Sequence, residues 1–188
     1  MSCHNEELRE EQLLIERVKA GDSRAVDALV NLYKTPLFAF ILRMTSHYET
    51  AEDIFQETWI RVIRSIHRFR GESKFSTWLF QIAVNRVRDE VRKTKGKMYV
   101  SIDDVTDTLS CSPDVDPYRL MKAKRVREMI DTLSPKMREA VILKYFHDFN
   151  DSEIAEIAGC PEGTVKSRLY KAAQLLKKKW EYAELNRE

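Results

Sequence analysis

Val165, Leu169, Ala172 and Leu176 fall on one side of a helix that begins near Glu162. Ser167, Tyr170, Lys171 and Gln174 fall on the opposite side, with Thr164 and Lys166 on its flanks. A row of hydroxyls, an amide and cations is what reading base edges in the major groove requires. Arg168 and the run Lys177-Lys178-Lys179 are placed to add phosphate contacts, which hold register without reading sequence. The competing reading is an ordinary solvated face. What favours a reader is the segment just before it. Asn150-Asp151-Ser152-Glu153 has capping-box spacing, and Ile154, Ile157 and Ala158 point to one side. Gly159 suits a left-handed helix end, and Cys160–Pro161 leaves room only for a tight turn. Two short helices joined in this way are the outline of a helix-turn-helix.

A second group lies in the first half of the chain. On a helix from about Phe75 to Lys93, the residues Phe80, Val84, Val87 and Val91 form an inner face. Trp78, Gln81, Asn85, Arg88, Asp89 and Arg92 occupy the reverse. An indole among amides and guanidinium groups suits stacking on an unpaired base while cations hold phosphates, and such stacking is worth ~1–3 kcal/mol per base. Packing of Trp78 beneath another helix fits the pattern as well. On the preceding helix, about Ala51 to Phe69, the stripe Phe55, Trp59, Val62, Ile66 and Phe69 faces inward, opposite Asp53, Glu57, Arg61, Arg64 and Arg68. Glu57 and Arg61 have the favourable i,i+4 order. Ile54 and Ile60 break this division, which points to a partner surface or to contact with neighbouring helices.

Other chemistry finds little support. His4, His47, His67 and His147 have no metal-ligand spacing, and neither a phosphate-binding glycine loop nor a nucleophile elbow occurs. Cys3, Cys111 and Cys160 form no CxxC pair and are expected to be reduced thiols. No catalytic residue, metal or cofactor is therefore expected. There is no run of eighteen apolar residues, and the first eleven residues are polar and acidic, so no membrane insertion and a cytoplasmic location are expected.

The elements that must position these residues are helical. The 188 residues include only 5 Gly and 5 Pro, with 33% charged residues, which favours helix over sheet. Helices are predicted from about Glu7 to Ala20, ending at Gly21, and from Asp22 as N-cap through Leu32, with a break or kink at Thr35–Pro36. Arg70–Lys74 is a loop. Between Lys95 and Pro117 the helical period is lost among Gly, Asp, Ser and Pro. The expected fold is all-α: a domain at 8–95, a flexible acidic linker at 96–117, and a domain at 118–183. The latter starts with a helix from about Tyr118 to Leu133, then one capped by Ser134 that runs to Phe146. Charge follows the same division. Residues 61–97 carry 11 Lys/Arg against 3 Asp/Glu, residues 98–117 carry 5 Asp and no cation, and residues 162–179 carry 6 cations against 1 Glu. Two basic blocks on either side of an acidic stretch suggest two contacts with a polyanion.

Together these strings resemble the extracytoplasmic-function (ECF) group of sigma factors, compact members of the housekeeping sigma family, over residues 10–180. The matches are Ala51-Glu52-Asp53-Ile54-Phe55-Gln56-Glu57, Phe69-Arg70-Gly71-Glu72-Ser73-Lys74-Phe75-Ser76-Thr77-Trp78-Leu79, Ile82-Ala83-Val84-Asn85 and Gly163-Thr164-Val165-Lys166-Ser167-Arg168-Leu169. The resemblance implies that Asp53, Ile54, Gln56, Glu57, Ile60 and Arg61 engage the clamp coiled coil of core RNA polymerase. It implies that the loop Arg70, Gly71, Glu72, Ser73, Lys74, Phe75 and Ser76 captures a flipped base of the promoter's minus-ten element. Trp78, Gln81, Asn85, Arg88 and Arg92 then line the melting surface. Thr164, Lys166, Ser167, Arg168, Tyr170 and Lys171 are implied to read the minus-thirty-five element, and the acidic linker to thread toward the RNA exit path. The group is usually held inactive by an anti-sigma factor, often membrane-bound, and no homo-oligomer is implied.

A free-standing helix-turn-helix repressor or activator would explain the last helix but leaves the tryptophan-bearing first domain and the acidic stretch without purpose. Such regulators usually dimerise to match operator symmetry, and no heptad pattern is present. An enzyme is disfavoured by the absent motifs.

Overall fold

The computed structural model describes residues 3–93 and 117–185, and all regular structure among them is helical. This is the expected all-α class. The expected linker lies outside the described residues except for Pro117, which opens a helix. The chain divides into two compact units, Met1–Lys95 and Gly96–Glu188.

The first unit contains α1 (Cys3–Lys19), α2 (Ser23–Thr45), α3 (Tyr48–Ser65), a 3-10 turn (Ile66–Arg68) and α4 (Phe75–Lys93). α2 lies at its centre and packs on α1, α3 and α4. Its start is fixed locally. Gly21 takes φ +87°, and Asp22 Oδ1 accepts from the Arg24 and Ala25 amides at 2.9 and 3.3 Å. Arg17 donates to the other carboxylate oxygen at 2.7 Å, and this bond is the main reason the Asp22 carboxyl lies below its ordinary range.

The break expected at Pro36 does not occur; α2 continues through it. Proline inside a helix costs about 3 kcal/mol. Leu29 before it and Leu37, Phe40, Ile41 and Leu42 after it are buried. Burying each such side chain contributes about 1.5–3 kcal/mol, so the core outweighs the missing amide. By length and hydropathy α2 could cross a membrane. Its most apolar stretch is instead covered by the neighbouring helices, with Phe40 and Phe80 of α4 in contact at 5.4 Å between ring centroids.

The second unit contains α5 (Pro117–Asp131), α6 (Pro135–Phe146), α7 (Asp151–Ala158) and α8 (Glu162–Leu185), with α8 touching the other three. Ser134 precedes α6 as expected, but its side chain makes no capping bond. The capping box at α7 is complete: Asn150 Oδ1 accepts from the Glu153 amide and Glu153 Oε2 from the Asn150 amide, each at 2.9 Å. Gly159 ends α7 in the left-handed region at φ +62°, and the Cys160 amide donates to the Ala155 carbonyl at 3.0 Å. The Lys144–Asp151 ion pair at 2.7 Å joins α6 to α7, and Arg125 of α5 lies over the Trp180 ring of α8 at 5.1 Å.

Removing the cap should be felt locally. Asn150→Ala is expected to cost about 1 kcal/mol, or about fivefold in amide protection along α7. Hydrogen exchange on the full chain measures this, with α2 amides unchanged as the control.

Candidate functional site

α3 and α4 form two exposed faces of different chemistry. On α3 the side chains of Asp53, Gln56, Glu57, Ile60 and Arg61 are exposed, with Ile60 at 48%. Ile54 is not among them. At 2% exposure it belongs to the core, which corrects the expectation that it projects from the polar face. α3 packs on both α2 and α4, so its buried arc is wider than a single stripe and takes in Ile54 and Thr58. Ile63, at 41% exposure, joins Ile60 one turn on; this i,i+3 pair was legible in the sequence and was missed. Glu57 does not reach along its own helix to Arg61 but across to Arg86 of α4, forming a short ion pair.

On α4, Asn85 and Arg92 are exposed, while Trp78, Gln81 and Arg88 are half-buried on the same side. Trp78 is packed in part and exposed in part. Its centroid lies 5.3 Å from that of Phe69 and 5.8 Å from that of Phe75. Phe75 packs in turn on Phe69 at 5.5 Å and on Tyr33 of α2 at 5.4 Å. Tyr33 donates a short hydrogen bond to Glu11 of α1; burial, then this carboxylate, pushes its hydroxyl far above the ordinary tyrosine range.

This aromatic cluster clamps both ends of the loop between the 3-10 turn and α4. Arg70, Gly71, Glu72 and Lys74 are exposed, Ser73 and Ser76 half-buried, and Gly71 takes φ +75°, a conformation that disfavours other residues there. Phe75, grouped with the loop in the sequence, is 1% exposed and starts α4 from within the core. It anchors the loop and has no surface to offer a base.

In the second unit α8 buries Val165 and Ala172 completely and half-buries Leu169 and Leu176. Lys166, Ser167, Tyr170 and Lys171 are exposed and Thr164 and Arg168 half-buried, with Tyr170 at 68%. Ser167 donates to the Thr164 carbonyl at 3.0 Å. Lys166 pairs with Glu162 at 2.7 Å, and that bond raises the ammonium above its ordinary range. The pair is exposed, so its net contribution is small and a phosphate can compete for the lysine. Among the described residues no group of three His, Cys, Asp or Glu side chains could hold a metal.

The Sigma-70 region 2 family matches residues 29–97, and Sigma-70 region 4 matches residues 123–176. The chain is 33% identical to the ECF RNA polymerase sigma factor SigW of Bacillus subtilis, over 87% of this chain and 93% of that protein. It is 31% identical to the ECF RNA polymerase sigma-E factor of Escherichia coli, over 90% and 93%. The chain is an ECF sigma factor. Two solved structures share its fold. CnrH, in complex with the cytosolic domain of CnrY, has a TM-score of 0.70 at 19% identity, over 92% of this chain and 97% of that one. The sigma factor RpoE from Bartonella quintana, in complex with the anti-sigma factor NepR, has a TM-score of 0.64 at 25% identity, over 86% and 98%.

An ECF sigma factor is a transcription initiation factor and not an enzyme. The two isoleucines of α3 separate packing from surface. Ile54→Ala should destabilise by about 2–5 kcal/mol, whereas Ile60→Ala should stay within about 0.5 kcal/mol. Urea unfolding of the full chain tests this, and equal losses would contradict the assignment of Ile54 to the core alone.

Proposed function

We propose that this sigma factor binds core RNA polymerase through the α3 face of Asp53, Gln56, Glu57, Ile60 and Arg61. The loop Arg70–Ser76 captures a base of the minus-ten element, with Trp78, Gln81, Asn85, Arg88 and Arg92 lining the path of the melted strand. The outward face of α8, Thr164, Lys166, Ser167, Arg168, Tyr170 and Lys171, reads the minus-thirty-five element in the duplex. The observation that carries this reading is the half-buried Trp78. It is held by Phe69 and Phe75 beside a glycine-bearing loop, on the side that carries the Asn85 amide and the Arg92 guanidinium. A ring held in this way loses little freedom on stacking, and it remains partly exposed.

Fixed charges and an exposed isoleucine on α3 suit a protein partner, not a polyanion. The protein acts in the cytoplasm, where polymerase and promoter DNA are found. Control by an anti-sigma factor is supported by the solved structure of the sigma factor RpoE from Bartonella quintana, which is in complex with the anti-sigma factor NepR.

Three substitutions separate the roles. Lys171→Ala is expected to weaken promoter use about tenfold while polymerase affinity is retained; equal loss of both contradicts the reader assignment. Trp78→Ala should impair strand opening, followed by permanganate footprinting, more than formation of the closed complex. Asp53→Lys should reduce affinity for core polymerase, and a change confined to DNA affinity would mean that the partner surface lies elsewhere.

A further inference from the structure

Among the described residues of the first unit, Arg86 is the one buried charged side chain, at 5% exposure. Its Nη2 ion-pairs with Glu57 of α3, and its Nη1 lies 3.4 Å from Asp89 Oδ2. The other oxygen of Asp89 accepts from Arg92 Nη2 at 2.6 Å. Arg86 Nε is buried and makes no hydrogen bond. Four side chains of alternating charge thus run from the α3 face, where Glu57 is half-exposed, to the α4 face, where Arg92 is 70% exposed.

We propose that Arg86 is a positioning residue whose guanidinium holds Glu57 ready for polymerase and, through Asp89, holds Arg92 ready for melted DNA. The inference rests on the function proposed above. Glu57 and Arg92 have long side chains that would sample several rotamers if unrestrained, and that freedom is lost on binding. Arg86 is packed on nearly all sides and cannot follow a partner that pulls on Glu57. Drawing the carboxylate away would leave a buried cation with only the longer Asp89 contact at 3.4 Å. Polymerase must therefore accept Glu57 in the orientation Arg86 imposes. The fork is essential to this arrangement, because a planar guanidinium engages two carboxylates in fixed directions, whereas a lysine ammonium is a single point charge. The same argument assigns Asp89 a role on the DNA side alone.

The test uses the full chain with core polymerase and a promoter fragment. Arg86→Lys, Asp89→Asn and the reference variants Glu57→Gln and Arg92→Ala are compared for polymerase affinity and for permanganate-detected opening at saturating sigma factor. Arg86→Lys should lower polymerase affinity roughly tenfold and reduce opening as well. Asp89→Asn should leave polymerase affinity within about twofold and reduce opening to the level of Arg92→Ala. In a Glu57→Gln background, Arg86→Lys should add little further loss of polymerase affinity, whereas a merely structural role would add its full effect. Full additivity overturns the proposal. So does a folded Arg86→Lys variant with native affinity and opening. Should Arg86→Lys not fold, Asp89→Asn decides, and native opening in that variant overturns the link. If Glu57→Gln and Arg92→Ala themselves bind and open as the native protein does, the assignment of the two faces has failed and the link falls with it. Effects in those two variants but none in Arg86→Lys or Asp89→Asn refute the link alone.

Discussion

α2, α3 and α4 each pack on the other two, and this triangle decides which side chains of the first unit remain available to partners. A helix with one neighbour buries a narrow stripe, whereas a helix with two buries nearly half its circumference. α3 accordingly loses Ile54 and Thr58 to the interior, and α4 loses Phe75, Leu79 and Arg86. What remains outside is acids, an amide, arginines and the isoleucines Ile60 and Ile63 on α3, and amides and arginines beside a tryptophan on α4. The two exposed faces are thus defined by subtraction. They exist because the apolar residues that could blur them are needed between the helices.

The same reasoning marks what could be read from the sequence. The centre of each stripe was legible, because Phe80, Val84 and Val87 recur at helical spacing and are buried. Its width was not, because width depends on how many helices sit alongside, and periodicity within one helix carries no record of that. Ile54 and Arg86 both lie at the margin of the stripe, so one was expected outside and the other was passed over. The break at Pro36 does not occur, for a related reason. A local cost of about 3 kcal/mol is visible in the sequence, but the burial of Leu37, Phe40 and Ile41 that outweighs it depends on partners contributed by other segments. By contrast the α7 cap, the left-handed Gly159 and the turn after it are complete within a few residues, and they appear as expected.

The second unit meets the same demand with fewer residues. α8 is at once the central helix of the core and the bearer of the outward row, so Val165 and Ala172 fix the rotation at which Lys166, Ser167, Tyr170 and Lys171 are presented. A rotation of one residue would bury a lysine, at a cost no surface contact could repay. Presentation of the reader is therefore set by packing and not by the reader residues themselves. That is why α7, only eight residues long, carries a complete capping box and ends in a left-handed glycine. A short helix contributes little area, and secured ends let it hold Ile154 and Ile157 firmly against its neighbours.

Charge distribution completes the argument. A chain with formal net charge +2 would be a weak ligand for DNA if its charges were evenly mixed. Here cations outnumber acids in 61–97 and 162–179, so each unit carries its own basic block while most of the acids lie elsewhere in sequence. In α4 the sorting goes further. Acids sit between arginines and pair with them, as Asp89 does with Arg86 and Arg92. Pairing lowers the field that α4 projects but fixes its cations in direction, which favours a defined path for a single strand over indiscriminate attraction to any polyanion. Exposed lysines such as Lys178 and Lys179 on α8 project field with little direction. In the proposed reading the α8 face depends on its hydroxyls, Ser167 and Tyr170, to distinguish one duplex site from another.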